Sequence, residues 1–166
     1  MLDGLRRERG LMPRYHALPW LPSDTQWQPF VAAARTEPIR NRVMLAFAYD
    51  AALRREEVCT LHTHDIDPAQ RLIHIRAEVA KNHRARVVPY SVATSTLYAA
   101  YLDQRRTLST QRGPLFLSES RRNRAQPISI WTWSKVVTAI ATRAAVPQFT
   151  THTFRHMCLT DLARAG

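Results

Sequence analysis

Cysteine is scarce in this chain, and that scarcity removes whole classes of protein from consideration. Cys59 and Cys158 are its only two, too few for the disulfide framework of a small secreted scaffold. Long apolar runs are missing as well. No N-terminal stretch has the form of a signal peptide, and none is long enough to read as a membrane span. Internal repeats and low-complexity tracts are also absent, which argues against an array of stacked units. Acidic residues are few: 13 Asp and Glu stand against 24 Lys and Arg, a formal charge of +11. Such an excess on a compact fold attracts polyanions, and nucleic acid is the first partner it suggests. Together these features predict a reduced, intracellular, soluble protein needing no membrane.

At 166 residues and 45% hydrophobic, the chain can bury one ordinary core. Residues 1–22 mix Arg6, Arg7, Arg9 and Arg14 with Pro13, Pro19 and Pro22, which suits an extended basic arm or linker better than a helix. Ser23-Asp24-Thr25-Gln26 has the capping-box form, and Trp27, Phe30, Val31 and Ala34 then follow at helical spacing. A second helix is predicted after Pro38, with an apolar stripe of Ile39, Val43, Met44, Phe47 and Ala48. A short helical turn through Arg54, Glu57 and Leu61 comes next. Leu72–Arg76 alternates at period two and Arg86–Pro89 is β-rich, predicting a small antiparallel hairpin with Lys81 on a mobile tip. Helices are expected again over 92–102, 129–145 and from His152 onward, with Arg105, Arg106 and Arg112 in a basic loop between the first two. The predicted fold class is mainly α with a small antiparallel β-sheet.

Several residue groups carry possible chemistry. His152 and Arg155, at i and i+3, share a helix face and can converge on one anion. Arg54 and Glu57 have the same spacing, which taken alone is that of a surface ion pair. Lys81, taken alone, is a solvated turn residue. Cys59, His62 and His64 are the right types for zinc, but no fourth ligand is evident and the spacing suits no common closed site, so no metal is predicted. Trp133 fits the apolar face of its helix, whereas Trp131 is open to base stacking.

In order along the chain, three local strings resemble those of the tyrosine recombinase, or phage integrase, family. Ala51-Ala52-Leu53-Arg54-Arg55-Glu56-Glu57 with the later Asp65-Ile66-Asp67 is similar to its first-arginine box. Ala80-Lys81-Asn82-His83-Arg84-Ala85-Arg86-Val87-Val88-Pro89 is similar to its hairpin lysine box, and His152-Thr153-Phe154-Arg155-His156 to its His-x-x-Arg box. Three boxes in one order are far more specific than any one of them. The resemblance covers 23–166 and implies part of a tyrosine-recombinase catalytic domain, C-terminally incomplete, with 1–22 as its linker. It implies Arg54 and Arg155 as a clamp on the scissile phosphate, His152 as a hydrogen-bond or proton partner, and Lys81 as general acid on the leaving 5′ oxygen. Glu57 would orient Arg54, Arg84 and Arg86 would contact DNA, and no cofactor is implied. The family commonly has glycine where this chain has Ala52 and Ala80.

The family's tyrosine nucleophile follows the His-x-x-Arg box, and Tyr15, Tyr49, Tyr90, Tyr98 and Tyr101 all precede it. The sequence therefore predicts a DNA-binding fragment of a site-specific recombinase that does not cleave alone. Further recombinase subunits are possible partners, one of which could donate the tyrosine in trans. The alternative is a non-catalytic DNA-binding remnant or inhibitor module.

Overall fold

A computed structural model describes residues 19–165. The arm predicted over 1–22 therefore lies mostly outside the described residues, and 19–22 form no helix or strand. Six helices and one small sheet follow, in the order α1 (Asp24–Arg35), α2 (Ile39–Asp50), α3 (Arg55–Cys59), a 3₁₀ turn (Thr63–Asp65), β1 (Ile66–Asp67), β2 (Leu72–Ile75), β3 (Arg86–Pro89), α4 (Val92–Arg106), α5 (Ile130–Arg143) and α6 (Thr151–Ala165). The fold is thus mainly α with a small antiparallel sheet. No described helix is long and apolar enough to cross a membrane.

Local chemistry explains where these elements begin. The Ser23 backbone N–H donates to Gln26 Oε1 at 3.0 Å, one half of the capping box read from the sequence. Ser91 Oγ accepts from the Thr94 N–H at 3.2 Å and Ser129 Oγ from the Thr132 N–H at 3.0 Å, so α4 and α5 each start at a serine cap. Asp50, at the end of α2, reinforces the α4 cap by accepting from the Ser91 N–H and the Thr94 hydroxyl.

Helix α2 is the structural centre, with Val43, Met44, Leu45, Phe47 and Ala48 all buried. It packs against α1, α3, α4 and α6. A cluster of Trp27, Phe30, Phe149 and Phe154 joins α1 to the start of α6, with Phe30 and Phe149 stacked at 4.0 Å between ring centroids. Trp133 is fully buried, as its spacing predicts, and Trp131 is exposed with Lys135 over its ring.

The sheet has one strand more than the sequence suggests. β1 pairs antiparallel with β2 through Ile66 opposite Ile73, and β2 with β3 through Ile73 opposite Val88. The two residues of β1 are too short to show a period. Helix α4 also runs a full turn beyond expectation, so Arg105 is not in a basic loop. It is buried and donates to the carbonyls of Leu115, Ser109, Gln111 and Pro114, closing the 107–114 loop against the helix end.

Candidate active site

Ala51 and Ala52 turn the chain out of α2, and Ala52 takes a left-handed conformation at φ 48°. Leu53, buried, anchors the turn, and Arg54 follows in an extended conformation as the cap of α3. This corrects the expectation that Arg54 and Glu57 share a helix face. Arg54 precedes the helix, and Glu57, its third residue, reaches back to accept from the Arg54 backbone N–H at 2.8 Å. The same carboxylate accepts from Arg54 Nη1 at 3.1 Å.

Glu57 also holds Arg86. Nη1 and Nη2 of that guanidinium donate to Oε1 and Oε2 at 2.9 and 2.7 Å, in a bidentate pair. Arg86, grouped with Arg84 as a DNA contact in the sequence, is thus committed to a buried carboxylate at the start of β3. Arg84 is exposed, and no hydrogen bond or ion pair holds it among the described residues. Burial acts to raise the Glu57 carboxyl, but the hydrogen bonds from Arg86 and from the Arg54 backbone outweigh it and hold it below the usual carboxylate range.

The β2–β3 connection, whose tip carries Lys81, is anchored at both ends. At its start, Arg76 donates to Asp65 Oδ2 at 3.2 Å and to the Thr60 carbonyl at 2.7 Å. At its end stands the Arg86 pair. Ala80, between them, is buried, and the exposed Lys81 follows it directly.

Helix α6 supplies the opposite wall. Thr153 Oγ1 accepts from the Thr150 N–H at 3.0 Å at the helix start, while Phe154 points into the aromatic cluster. His152 and Arg155 are thereby left on the other side. Arg155 Nη1 donates to the Ala52 carbonyl at 2.5 Å, tying α6 to the turn before Arg54. Burial, followed by the neighbouring Arg54 and Arg86 guanidiniums, holds Arg155 below the usual arginine value.

These pieces enclose a cavity of about 550 Å³ lined by Arg54, Glu56, Val79, Lys81, His152, Arg155 and His156. The four residues named from the sequence as catalytic candidates all line it. Glu57 and Arg86 stand behind Arg54 rather than in the lining. Glu56 and His156 are lining residues that the sequence reading assigned no role. His156 is i+4 from His152, a spacing that places both on one helix face. Burial acts to raise the Glu56 carboxyl, but the Arg55 hydrogen bond, aided by His152, leaves it below its ordinary value. Among the described residues, no tyrosine lines the cavity and no cluster of three or more His, Cys, Asp or Glu able to hold a metal occurs. A wall with two guanidiniums, an ammonium and two imidazoles can bind a phosphate-like anion through several charge-assisted hydrogen bonds.

Residues 23–166 match the phage integrase family. The chain is 27% identical over 165 residues to the tyrosine recombinase XerC of Mycobacterium leprae (strain TN), a match covering 93% of this chain and 54% of that protein. It is 28% identical over 130 residues to XerC of Mycobacterium sp. (strain KMS), covering 77% and 42%. The crystal structure of XerA recombinase superposes with a TM-score of 0.75 at 23% identity, over 90% of this chain and 52% of that one. XerH site-specific recombinase bound to its difH substrate in a pre-cleavage complex gives 0.72 at 18% identity, over 89% and 44%. The chain spans about half the length of the curated relatives it matches.

Proposed function

We propose, for a chain that belongs to the phage integrase family, that its cavity is the phosphate-activating part of a site-specific DNA recombination centre. The observation that carries this reading is the convergence of Arg54, Lys81, His152 and Arg155 from three separate elements onto one cavity. Residues 23–166 are then part of a tyrosine-recombinase catalytic domain, and 1–22 a basic arm leading into it. The relatives are recombinases, and one superposed structure holds its DNA substrate. The protein would work on double-stranded DNA at the nucleoid, in the cytoplasm, alongside further recombinase subunits.

In this reading Arg54 and Arg155 donate to the nonbridging oxygens of the scissile phosphate and stabilise the charge that grows there in the transition state. His152 adds a hydrogen bond to the same group. As a tyrosine oxygen bonds to phosphorus and the bond to the 5′ oxygen breaks, Lys81 delivers a proton to that leaving oxygen. The product is a 3′-phosphotyrosyl link, which a second strand's 5′ hydroxyl reverses. None of the described tyrosines lines the cavity, so the tyrosine comes from outside this set, in cis or from another subunit. These 166 residues alone bind DNA without cutting it. That same feature keeps a second reading in play, a DNA-binding module that occupies sites and blocks full-length partners.

A nicked suicide duplex tests the proposal. The expected result is DNA binding that weakens steeply with salt, through counterion release, is reduced by Arg54→Ala and Arg155→Ala, and leaves no covalent adduct. Adding a relative that bears the tyrosine but lacks its own first arginine should restore adducts for an enzyme fragment and not for a blocking module. Salt-insensitive binding overturns the DNA reading, and an adduct from the isolated chain overturns the missing-nucleophile reading.

A further inference from the structure

We infer that Arg86 is a positioning residue for Arg54: by filling the buried Glu57 carboxylate from behind, it keeps the Arg54 guanidinium free to face the cavity. The inference deepens the proposed phosphate site and rests on that reading for its functional meaning.

Glu57 is fully buried, with 0% of its side chain exposed, so its charge must be answered entirely by protein donors. A carboxylate offers about four acceptor positions. The structure fills them with four donors: the Arg54 backbone N–H and Arg86 Nη2 on Oε2, and Arg54 Nη1 and Arg86 Nη1 on Oε1. Two of the four come from Arg86. Arg54 therefore commits only Nη1 to the carboxylate, and its Nε and Nη2 groups make no hydrogen bond among the described residues while the side chain lines the cavity.

Removing the Arg86 fork would leave two acceptor positions empty on a buried anion. Arg54 has uncommitted N–H groups and its Nη1 already lies 3.1 Å from the carboxylate, and a fork-to-fork pair is the strong geometry for this chemistry. Arg54 would then close onto Glu57. Its charge would be cancelled by the carboxylate, and fewer of its N–H groups would remain for a ligand. With Arg86 present, the Glu57 charge is balanced from the rear and Arg54 keeps its own. Arg86 itself does not line the cavity, so its effect on a bound anion is exerted through Glu57.

The test is a titration of the intact 166-residue chain with inorganic phosphate, followed by NMR of arginine side-chain Nε–H signals. Arg86→Met should shift the Arg54 Nε–H resonance and weaken phosphate roughly tenfold or more, the worth of a charge-assisted hydrogen bond or two. Arg86→Lys, which keeps the charge but not the fork, should fall between it and wild type. The double variant Arg86→Met/Glu57→Gln carries no unpaired buried charge, so it answers even if the single variant does not fold. It should bind phosphate less tightly than wild type, having lost the carboxylate that orients Arg54, but clearly more tightly than Arg54→Ala, because nothing then draws Arg54 inward. A double variant as weak as Arg54→Ala, or an Arg54 signal unmoved by Arg86→Met, overturns the inference. A wild-type chain that takes up no phosphate, while Arg54 still responds to Arg86→Met, overturns the proposed function instead and leaves the positioning role standing.

Discussion

The Arg155 guanidinium donates to the carbonyl of Ala52, 103 residues earlier, and Ala52 is held at φ 48°. A left-handed alanine costs about 1–2 kcal/mol that glycine avoids. The residue supporting one of the two arginines that line the cavity is therefore a strained one.

Ala52→Gly is expected to stabilise the chain by about 1 kcal/mol, with relief of strain exceeding the entropy that glycine adds to the unfolded state. Ala52→Val should destabilise it, because a branched side chain is poorly tolerated at positive φ. Ala80 has no positive φ and is 2% exposed, so Ala80→Gly should cost about 0.5–1 kcal/mol. Urea midpoints at unchanged slope measure all three. A common sign for the two glycine substitutions contradicts the structure.

Acid stability should report Glu57. Its carboxyl lies below the ordinary range because hydrogen bonds from Arg86 and Arg54 outweigh burial. A depressed carboxyl contributes stability that is complete above its unfolded value, about 4.3, and is lost as pH falls through the lower folded value. Urea midpoints should hold from neutrality down to the ordinary carboxylate range and decline below it. Glu57→Gln should start lower and show a flatter acid limb. Parallel limbs in the two proteins refute this.

Arg105→Met removes four hydrogen bonds from a buried guanidinium to carbonyls and should destabilise the chain by about 3 kcal/mol. The exposed Arg106, whose ion pair among the described residues is with Asp103, should tolerate the same change within about 0.5 kcal/mol. Equal effects at the two neighbours would mean that Arg105 is not carrying the loop.

Alkaline titration followed by ultraviolet absorbance tests the tyrosines. Burial pushes Tyr98 and Tyr101 up to about 12, and burial together with the hydrogen bond to Asp161 does the same for Tyr49. Tyr90 is raised by burial as well. Of the five tyrosines, these four should ionise above the free value of about 10, and Tyr49→Phe should remove one late-ionising group. Two or more tyrosines titrating at or below 10 would show that one of these four is poised as the structure does not allow.

Helix positions were legible in the sequence because the apolar spacing of α1, α2 and α5 and the serine caps act locally. The three boxes were legible as strings, and the cavity residues Arg54, Lys81, His152 and Arg155 with them. Arg86 and Arg105 were not. Both are arginines in basic surroundings, and what sets their contacts is a carboxylate 29 residues away for the first and a set of loop carbonyls for the second. Strand β1 is two residues long, below the length at which alternation has meaning. His156 was visible at i+4 from His152, but only the assembled cavity distinguishes a lining residue from one elsewhere on the helix surface.

The bond between Arg155 and Ala52 joins α6 to the turn after α2, while Lys81 arrives from the sheet that lies between them in the chain. The anion pocket therefore does not exist in any partly folded form of the chain in which α6 has not docked on that turn. A bound phosphate group would act as a clasp across that span, raising the resistance of the whole chain to unfolding in proportion to the logarithm of ligand concentration. Taking up such an anion and completing the fold would then be coupled events.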